Sequence, residues 1–340
     1  VRFGSVPLED ALGSILAHSM QAASPEPGAG RTYKIAKGTV LTEQHLRDLA
    51  ENGAAQVIVA QLGPGDVHED TAAEALATAI LSNQPGLRAR PASTGRVNLV
   101  AEHAGVVSVD AGAILDANLV DAGMTIATAA RWQKVAAGGL VATIKIIPYA
   151  VDGDLLARAC TAARGALALH GAQVASLSLI ETRIGEGIPP DKGRRATAAR
   201  VEHFGAQLSE RCVVPHDVAS IAAALAAAPG EVLLILTGSA TSDIRDVAPE
   251  AVRQAGGHVD HYGMPVDPGN LLFLGRIGAK PVIGLPSCAR SPTLNGADWV
   301  LERVICGVPV TPRDIAAMGV GGLLKEIPSR PMPRRSTNIE

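Results

Sequence analysis

The stretch EVLLILTGSATSDIRDVAPEAVRQAG, Glu231–Gly256, decides the fold. Its first six residues, EVLLIL, read as a buried strand, and PEAVRQAG reads as a helix. Between them runs a loop of small, hydroxylated and charged residues. A strand that feeds a helix through such a loop is the repeating unit of a mostly parallel sheet covered on both faces.

The same alternation extends outward in both directions. Upstream, DLLARACTAARGALAL reads as a helix, QVASLSLI as a buried strand, TAARVEHFGA as a helix, LSERCVV as a strand, and DVASIAAALAAA as a helix opened by Asp217. Downstream, GHVDHY and PVIGL read as strands and GADWVLERVICG as a helix. The first half is less regular. Leu8, Leu12, Ile15 and Leu16 form a helical stripe, a second helix runs from Thr42 as N-cap to Gly53, AQVIVAQL is a strand, and a third helix follows the acidic HEDTAAEALATAI. After the loop LSNQPGLRARPASTG, both RVNLVAEHAGVVSVD and GLVATIKIIPYAV are strand-like. The expected layout is an N-terminal mixed α+β domain over 1–151, a three-layer α/β domain over 152–328, and a tail or linker over 329–340.

Composition agrees with this class. The 340-residue chain is 47% hydrophobic and only 2% aromatic, which suits aliphatic α/β layers better than an aromatic-packed sandwich. A net charge of −3 argues against nucleic acid or an anionic membrane as the main partner. No apolar run reaches the roughly 18 residues of a spanning helix. VRFGSVPLED carries acids by its ninth residue and no signal-peptide core, so a cytoplasmic location is expected. Cys160, Cys212, Cys288 and Cys306 are far apart without a C-x-x-C, so neither zinc nor a disulfide framework is indicated.

Open α/β sheets bind ligands beyond the carboxyl ends of their strands, which directs attention to the loops leaving them. TGSATSDIRDVAPEA, Thr237–Ala251, supplies four hydroxyls, Asp243, Asp246, an arginine and a helix start, a natural anion site. Plain helix capping by Asp246 and Ser242 is the alternative, but one cap does not need ten such residues. GMPVDPGN, Gly263–Asn270, predicts a stiff turn of type II with Gly269 at positive φ. VIGLPSCARSPTLNG, Val282–Gly296, is a strand that breaks into a rigid loop, where Arg290 offers a fork for a phosphate; a structural turn explains it as well.

Other motifs fall short. His258 and His261 of HVDH lie three apart in a strand, on opposite faces, and make a poor metal pair. GEGIPPDKGRR lacks the phosphate-loop pattern, MGVGG lacks the dinucleotide fingerprint, and no G-x-S-x-G elbow occurs. Cys288 has no evident activating histidine and reads as a packed thiol.

Taken in order, these loops carry a resemblance. TGSATSDIRDVAPEA is similar, without gaps, to the T-G-G-T-G-x-x-x-R-D-V-T-P-E-A signature of the molybdopterin-binding domain of molybdenum cofactor biosynthesis proteins. GMPVDPGN resembles that family's P-G-K-P segment and GLPSCARS its G-L-P-G-N-P-V-S loop. PPDKGRR falls at its D-[KR]-S-G-P loop and VVPHDVASI at V-x-D-[DE]-x-x-x-I. The resemblance covers roughly 173–307. More loosely, LEDALGSILAH, KGTVL and GAAQVIVA resemble the leading part of multi-domain members. The layout through MGVGGLLKEI looks most like a subfamily often fused to a C-terminal nucleotidyltransferase domain, which would follow RPMPRR. Ser239 stands for the second glycine of T-G-G, Ala240 and Thr241 for Thr-Gly, His216 for an aspartate, and Ser287, Cys288 and Ala289 for Gly-Asn-Pro.

The resemblance implies molybdopterin as ligand or substrate. That molecule presents a phosphate monoester at one end and a donor-rich pterin edge at the other. Asp243 and Asp246 are the expected catalytic or Mg²⁺-holding carboxylates, or acceptors for the pterin edge. Thr237, Gly238, Ser239, Ser242, Asp267, Pro268, Gly269, Pro286, Ser287 and Arg290 are the expected cofactor-binding residues, with Ser287, Arg290 and the Thr237–Ser239 backbone assigned to the phosphate. The expected function is to hold molybdopterin or the molybdenum cofactor and present it for metal insertion or nucleotide attachment. The alternatives are a transferase that itself adds a nucleotide or inserts molybdate, and a generic sugar-phosphate binder. The replaced glycines favour binding over catalysis. The resemblance also implies a homo-oligomer, dimer or trimer, with a nucleotidyltransferase as domain or partner.

Overall fold

A computed structural model describes residues 1–24, 32–82 and 84–324, so the expected tail over 329–340 lies outside the described residues. The chain divides into two compact units: Val1–Glu102 with Val107–Leu169, and His103–Val106 with the residues from His170 onward.

The second unit is built on a seven-stranded sheet. Its strands are β1 (Ser176–Arg183), β2 (Gln207–Leu208), β3 (Cys212–Pro215), β4 (Val232–Leu236), β5 (His258–Tyr262), β6 (Phe273–Ile277) and β7 (Lys280–Leu285). The order is β2-β1-β4-β7-β6-β5, with β3 also paired to β1. Strands β2, β3 and β4 pair with β1 in parallel, and β7 pairs in parallel with β4. The β5–β6 and β6–β7 pairings are antiparallel. The fold is therefore α/β with a mostly parallel sheet, as the alternating pattern predicts. All five residues of β4 are buried, the mark of a central strand covered on both faces. Helices α1 (Lys192–Glu202), α2 (Val218–Ala227), α3 (Val247–Gln254) and α4 (Gly296–Ile305) connect or follow the strands. Asp217 caps α2 by accepting from Ser220 N, as its position predicts.

Three local readings change. LSERCVV is two short strands, and β6 is a strand that the pattern did not reveal. The β5 register shifts between Val259 and His261, which pair with Gly275 and Leu274. Strict alternation therefore does not hold across HVDH, because a bulge adds a residue to one strand only.

In the first unit, Gln56–Gln61 lies between Arg2–Pro7 and Ile15–Leu16 in an antiparallel three-stranded sheet. The expected helical stripe is instead a short 3-10 turn, Leu8–Ala11, followed by that Ile15–Leu16 strand. Gly13 at φ +74° breaks any helix there, and Leu12 is 55% exposed while Leu8, Ile15 and Leu16 are buried. The helix Glu43–Glu51 does start from Thr42, with a capping box to His45. A four-stranded sheet (Met124–Thr128, Leu140–Ile146, Arg96–Ala101, Leu87–Ala89) and the helix Glu69–Leu81 build a second core. The segment DLLARACTAARGALAL splits into the helix Gly153–Ala162 and the strand Leu167–Gly171. Leu156 and Ala159 of that helix, with Ala163, pack into this core. Helix and core belong to the first unit.

One contact of the second sheet is set by a missing side chain. Phe273 on β6 pairs with Gly284 on β7, and a Cβ at Gly284 would lie 1.9 Å from the Phe273 ring. That ring is fully buried and has nowhere to swing. Gly284→Ala is expected to lower unfolding free energy by about 1–3 kcal/mol, the usual cost of overpacking, measured by denaturant titration against wild type.

Candidate functional site

Because β1, β3, β4 and β7 are parallel, the segments that leave them emerge at one edge of the sheet. β5 has the same sense as β7, since β6 is antiparallel to both. The loops 184–191, 216–217, 237–246, 263–272 and 286–295 therefore share that edge. Three of the five are the sequence-predicted loops.

The first contact at this edge is made by a threonine that sequence reasoning passed over. Thr182, at the end of β1 and 1% exposed, accepts the Gly238 N–H at 2.7 Å and lies 2.9 Å from His216 Nδ1. One hydroxyl thus ties the ends of β1, β3 and β4. Gly238 is required there, since a Cβ would meet the Thr182 carbonyl at 2.9 Å. Its amide is consequently committed to Thr182. Thr237, also buried, gives its carbonyl to an Arg290 guanidinium N–H at 2.6 Å. Ser239 is exposed. The Thr237–Asp246 and 286–295 loops are joined by that one arginine, which retains further N–H groups for another acceptor.

Asp246 is the N-cap of α3. Its Oδ1 accepts Val247 N at 2.7 Å and its Oδ2 accepts Ser242 N at 2.9 Å. Burial works to raise its pKa, but the two amides and the nearby His216 outweigh burial and hold the carboxyl below its ordinary value. Asp243 is exposed, and its Oδ1 accepts Arg245 N at 2.7 Å. Tyr262 donates to the Thr241 carbonyl at 3.1 Å, and burial with the charges of Asp243 and Asp246 pushes its hydroxyl pKa up. Among the described residues no group of three or more His, Cys, Asp or Glu gathers to hold a metal ion. Asp243 and Asp246 first of all shape the loop. A Mg²⁺ here would have to take most of its ligands from a bound phosphate and water.

The 263–272 loop departs from the expected type II turn. The Asp267–Pro268 peptide is cis, and Gly269 adopts φ +145°. The reason is close packing. The Pro268 carbonyl accepts Gly296 N at 2.8 Å at the start of α4, and a Cβ on Gly269 would meet that same nitrogen at 2.8 Å. Asp267 N donates to the Gly322 carbonyl, and its own carbonyl accepts Leu324 N. Pro268 and Gly269 are buried. Their place beside α4 joins this segment to the end of the 286–295 loop. In that loop Pro286 is buried, Ser287 exposed and Arg290 half-buried. Cys288 sits in the short 3-10 turn Ser287–Arg290.

Residues 176–325 match the family described as "Probable molybdopterin binding domain", and residues 5–61 match a domain of unknown function, DUF8806. The second unit thus contains a segment similar to a probable molybdopterin-binding domain. No curated protein matches the chain. Among solved structures it is similar to a molybdopterin biosynthesis MoeA protein from Pyrococcus horikosii, at 15% identity and TM-score 0.29, covering 92% of this chain and 75% of that one. A molybdenum cofactor biosynthesis protein from Pyrococcus furiosus is similar at 14% identity and TM-score 0.26, covering 91% of this chain and 66% of that one. No described helix is long and apolar enough to cross a membrane.

The two amide bonds to Asp246 set a test. An Asn side chain has one acceptor oxygen, so Asp246→Asn must set its amide group against one of the two N–H donors. The variant is expected to lose about 0.5–1.5 kcal/mol of stability, the net contribution of one hydrogen bond to donors that are exposed or half-buried. The pH dependence has a fixed sign: a carboxyl with a depressed folded-state pKa adds stability above its unfolded value of about 3.9, lost as pH falls through the folded value. Wild type should therefore lose the Asp246 contribution only below about pH 4, and Asp246→Asn should flatten that part of the curve. Acid titration of urea midpoints checks both.

Proposed function

We propose that the carboxyl edge of the second sheet binds molybdopterin or the molybdenum cofactor, and presents it for metal insertion or nucleotide attachment during molybdenum cofactor biosynthesis. The observation that carries this reading is that the gapless Thr237–Ala251 signature forms the loop leaving the central strand, inside the family-matched segment 176–325. Arg290 and the exposed Ser287 suit the phosphate end, and Asp243 suits the donor-rich pterin edge. Asp246 supports the loop that carries them. The ligand is anionic and the chain carries −3, so attraction must come from local groups such as Arg290.

Protein purified from a host that makes the cofactor should retain a pterin, detected by its fluorescence after oxidation, and should not bind NAD(P). No retained pterin together with no binding in vitro would sink the proposal. Arg290→Ala should weaken binding about 10- to 150-fold, the loss of one hydrogen bond to a charged group at about 1.5–3 kcal/mol.

A second reading, a transferase that acts on molybdopterin, draws on the two neighbouring carboxylates Asp243 and Asp246. It requires a Mg²⁺ to offset phosphate charge during transfer. Chelation separates the two: under the presenting role, affinity in EDTA stays within about twofold, whereas Mg²⁺-dependent nucleotide attachment by the isolated chain would establish the transferase.

A further inference from the structure

We propose that Arg200, on α1, is the positioning residue that sets the shape of the 286–295 loop and so its ability to hold an anionic ligand. The proposal rests on the molybdopterin reading for the identity of that ligand.

The guanidinium of Arg200 is a hub. Its NH1 donates to the Ala289 carbonyl at 3.0 Å and to Ala196 of its own helix at 3.1 Å. Its NH2 donates to the carbonyls of Ser291 at 2.7 Å and Thr293 at 3.2 Å. Its Nε donates to the Asp298 carboxylate. The Arg200 and Asp298 side chains are 12% and 7% exposed, so the pair is little screened by solvent. Asp298 in turn accepts Asn295 N at 2.9 Å in the capping box that opens α4. One side chain therefore holds three carbonyls of the loop and the cap of the helix that follows.

The planar fork of Arg makes this arrangement specific, since an ammonium cannot span the same acceptors. The arrangement also fixes peptide orientation. In a trans peptide the C=O and the following N–H point in opposite directions. With the Ala289 and Thr293 carbonyls turned to Arg200, the N–H ends of Arg290 and Leu294 face away from it. The Ser291 peptide leads into Pro292, which has no N–H. Three of the loop's carbonyls are gathered on the Arg200 side, and the N–H groups of Arg290 and Leu294 are left on the other. That polarity suits an anion.

The test compares the full wild-type chain with Arg200→Lys and with the double variant Arg200→Gln, Asp298→Asn. The double variant avoids stranding a buried carboxylate. Three quantities are read: melting temperature, hydrogen exchange of the amides in 287–294 without ligand, and molybdopterin affinity by fluorescence titration. The expected result is loop exchange at least about tenfold faster in both variants, helices 192–202 and 296–305 exchanging within about threefold of wild type, and affinity lower by about tenfold or more, with lysine failing to rescue. Unchanged loop exchange overturns the clamp. Faster exchange with unchanged affinity overturns its link to the ligand, as does full rescue by lysine, which would leave charge alone as the requirement. Failure of both variants to fold makes Arg200 a determinant of the fold and overturns the positioning role. A wild-type chain that binds no pterin overturns the molybdopterin reading and the ligand half of this one, while loop exchange still decides the clamp.

Discussion

The two-sided burial of β4 is the constraint on which the second unit depends. Val232–Leu236 has no exposed residue and is hydrogen-bonded on both edges by parallel neighbours, β1 and β7. A strand in that position cannot slip by one residue without driving its ladder and both packed faces out of register. Its direction is therefore fixed, and so is the edge at which Thr237 emerges. The other parallel strands then deliver their loops to the same edge.

At that edge the polar groups are spent largely on one another. Thr182 takes Gly238 N–H, Arg290 takes the Thr237 carbonyl, and Asp246 takes two amides. Loops carry backbone groups that must be paired when water is excluded, and side chains from neighbouring strands supply those pairs. This costs some capacity for direct ligand contact, since the Gly238 amide and both Asp246 oxygens are already engaged. In return the loops are held to one another, and a loop held in advance loses less entropy on binding any ligand.

Glycine does a second kind of work here. At Gly238, Gly269 and Gly284 the absence of Cβ allows a carbonyl, a helix start and an aromatic ring to approach within distances that any other residue forbids. Gly284 leaves room for the ring of Phe273, one of the chain's three phenylalanines.

The sequence by itself determined the layered class of the second unit, the caps at Thr42 and Asp217, and the loops leaving the strands, because apolar runs, capping residues and small-residue turns act over a few positions. It misread Leu8–Leu16, whose apolar spacing matches a helix while Gly13 and pairing with 56–61 impose a strand. It did not find the helix Ala111–Val120, whose nearly uniform apolar sequence shows no polar face, nor the strand Phe273–Ile277. Thr182 and Arg200 left no local signal, since a threonine in a strand and an arginine on a helix are ordinary. Their roles arise from partners 34 to 98 residues away. Likewise, the sequence offered Asp246 as either cap or ligand. The structure shows the carboxylate engaged by the local amides of Ser242 and Val247, and only the tertiary fold adds His216, from another strand end, because charges act through space rather than along the chain.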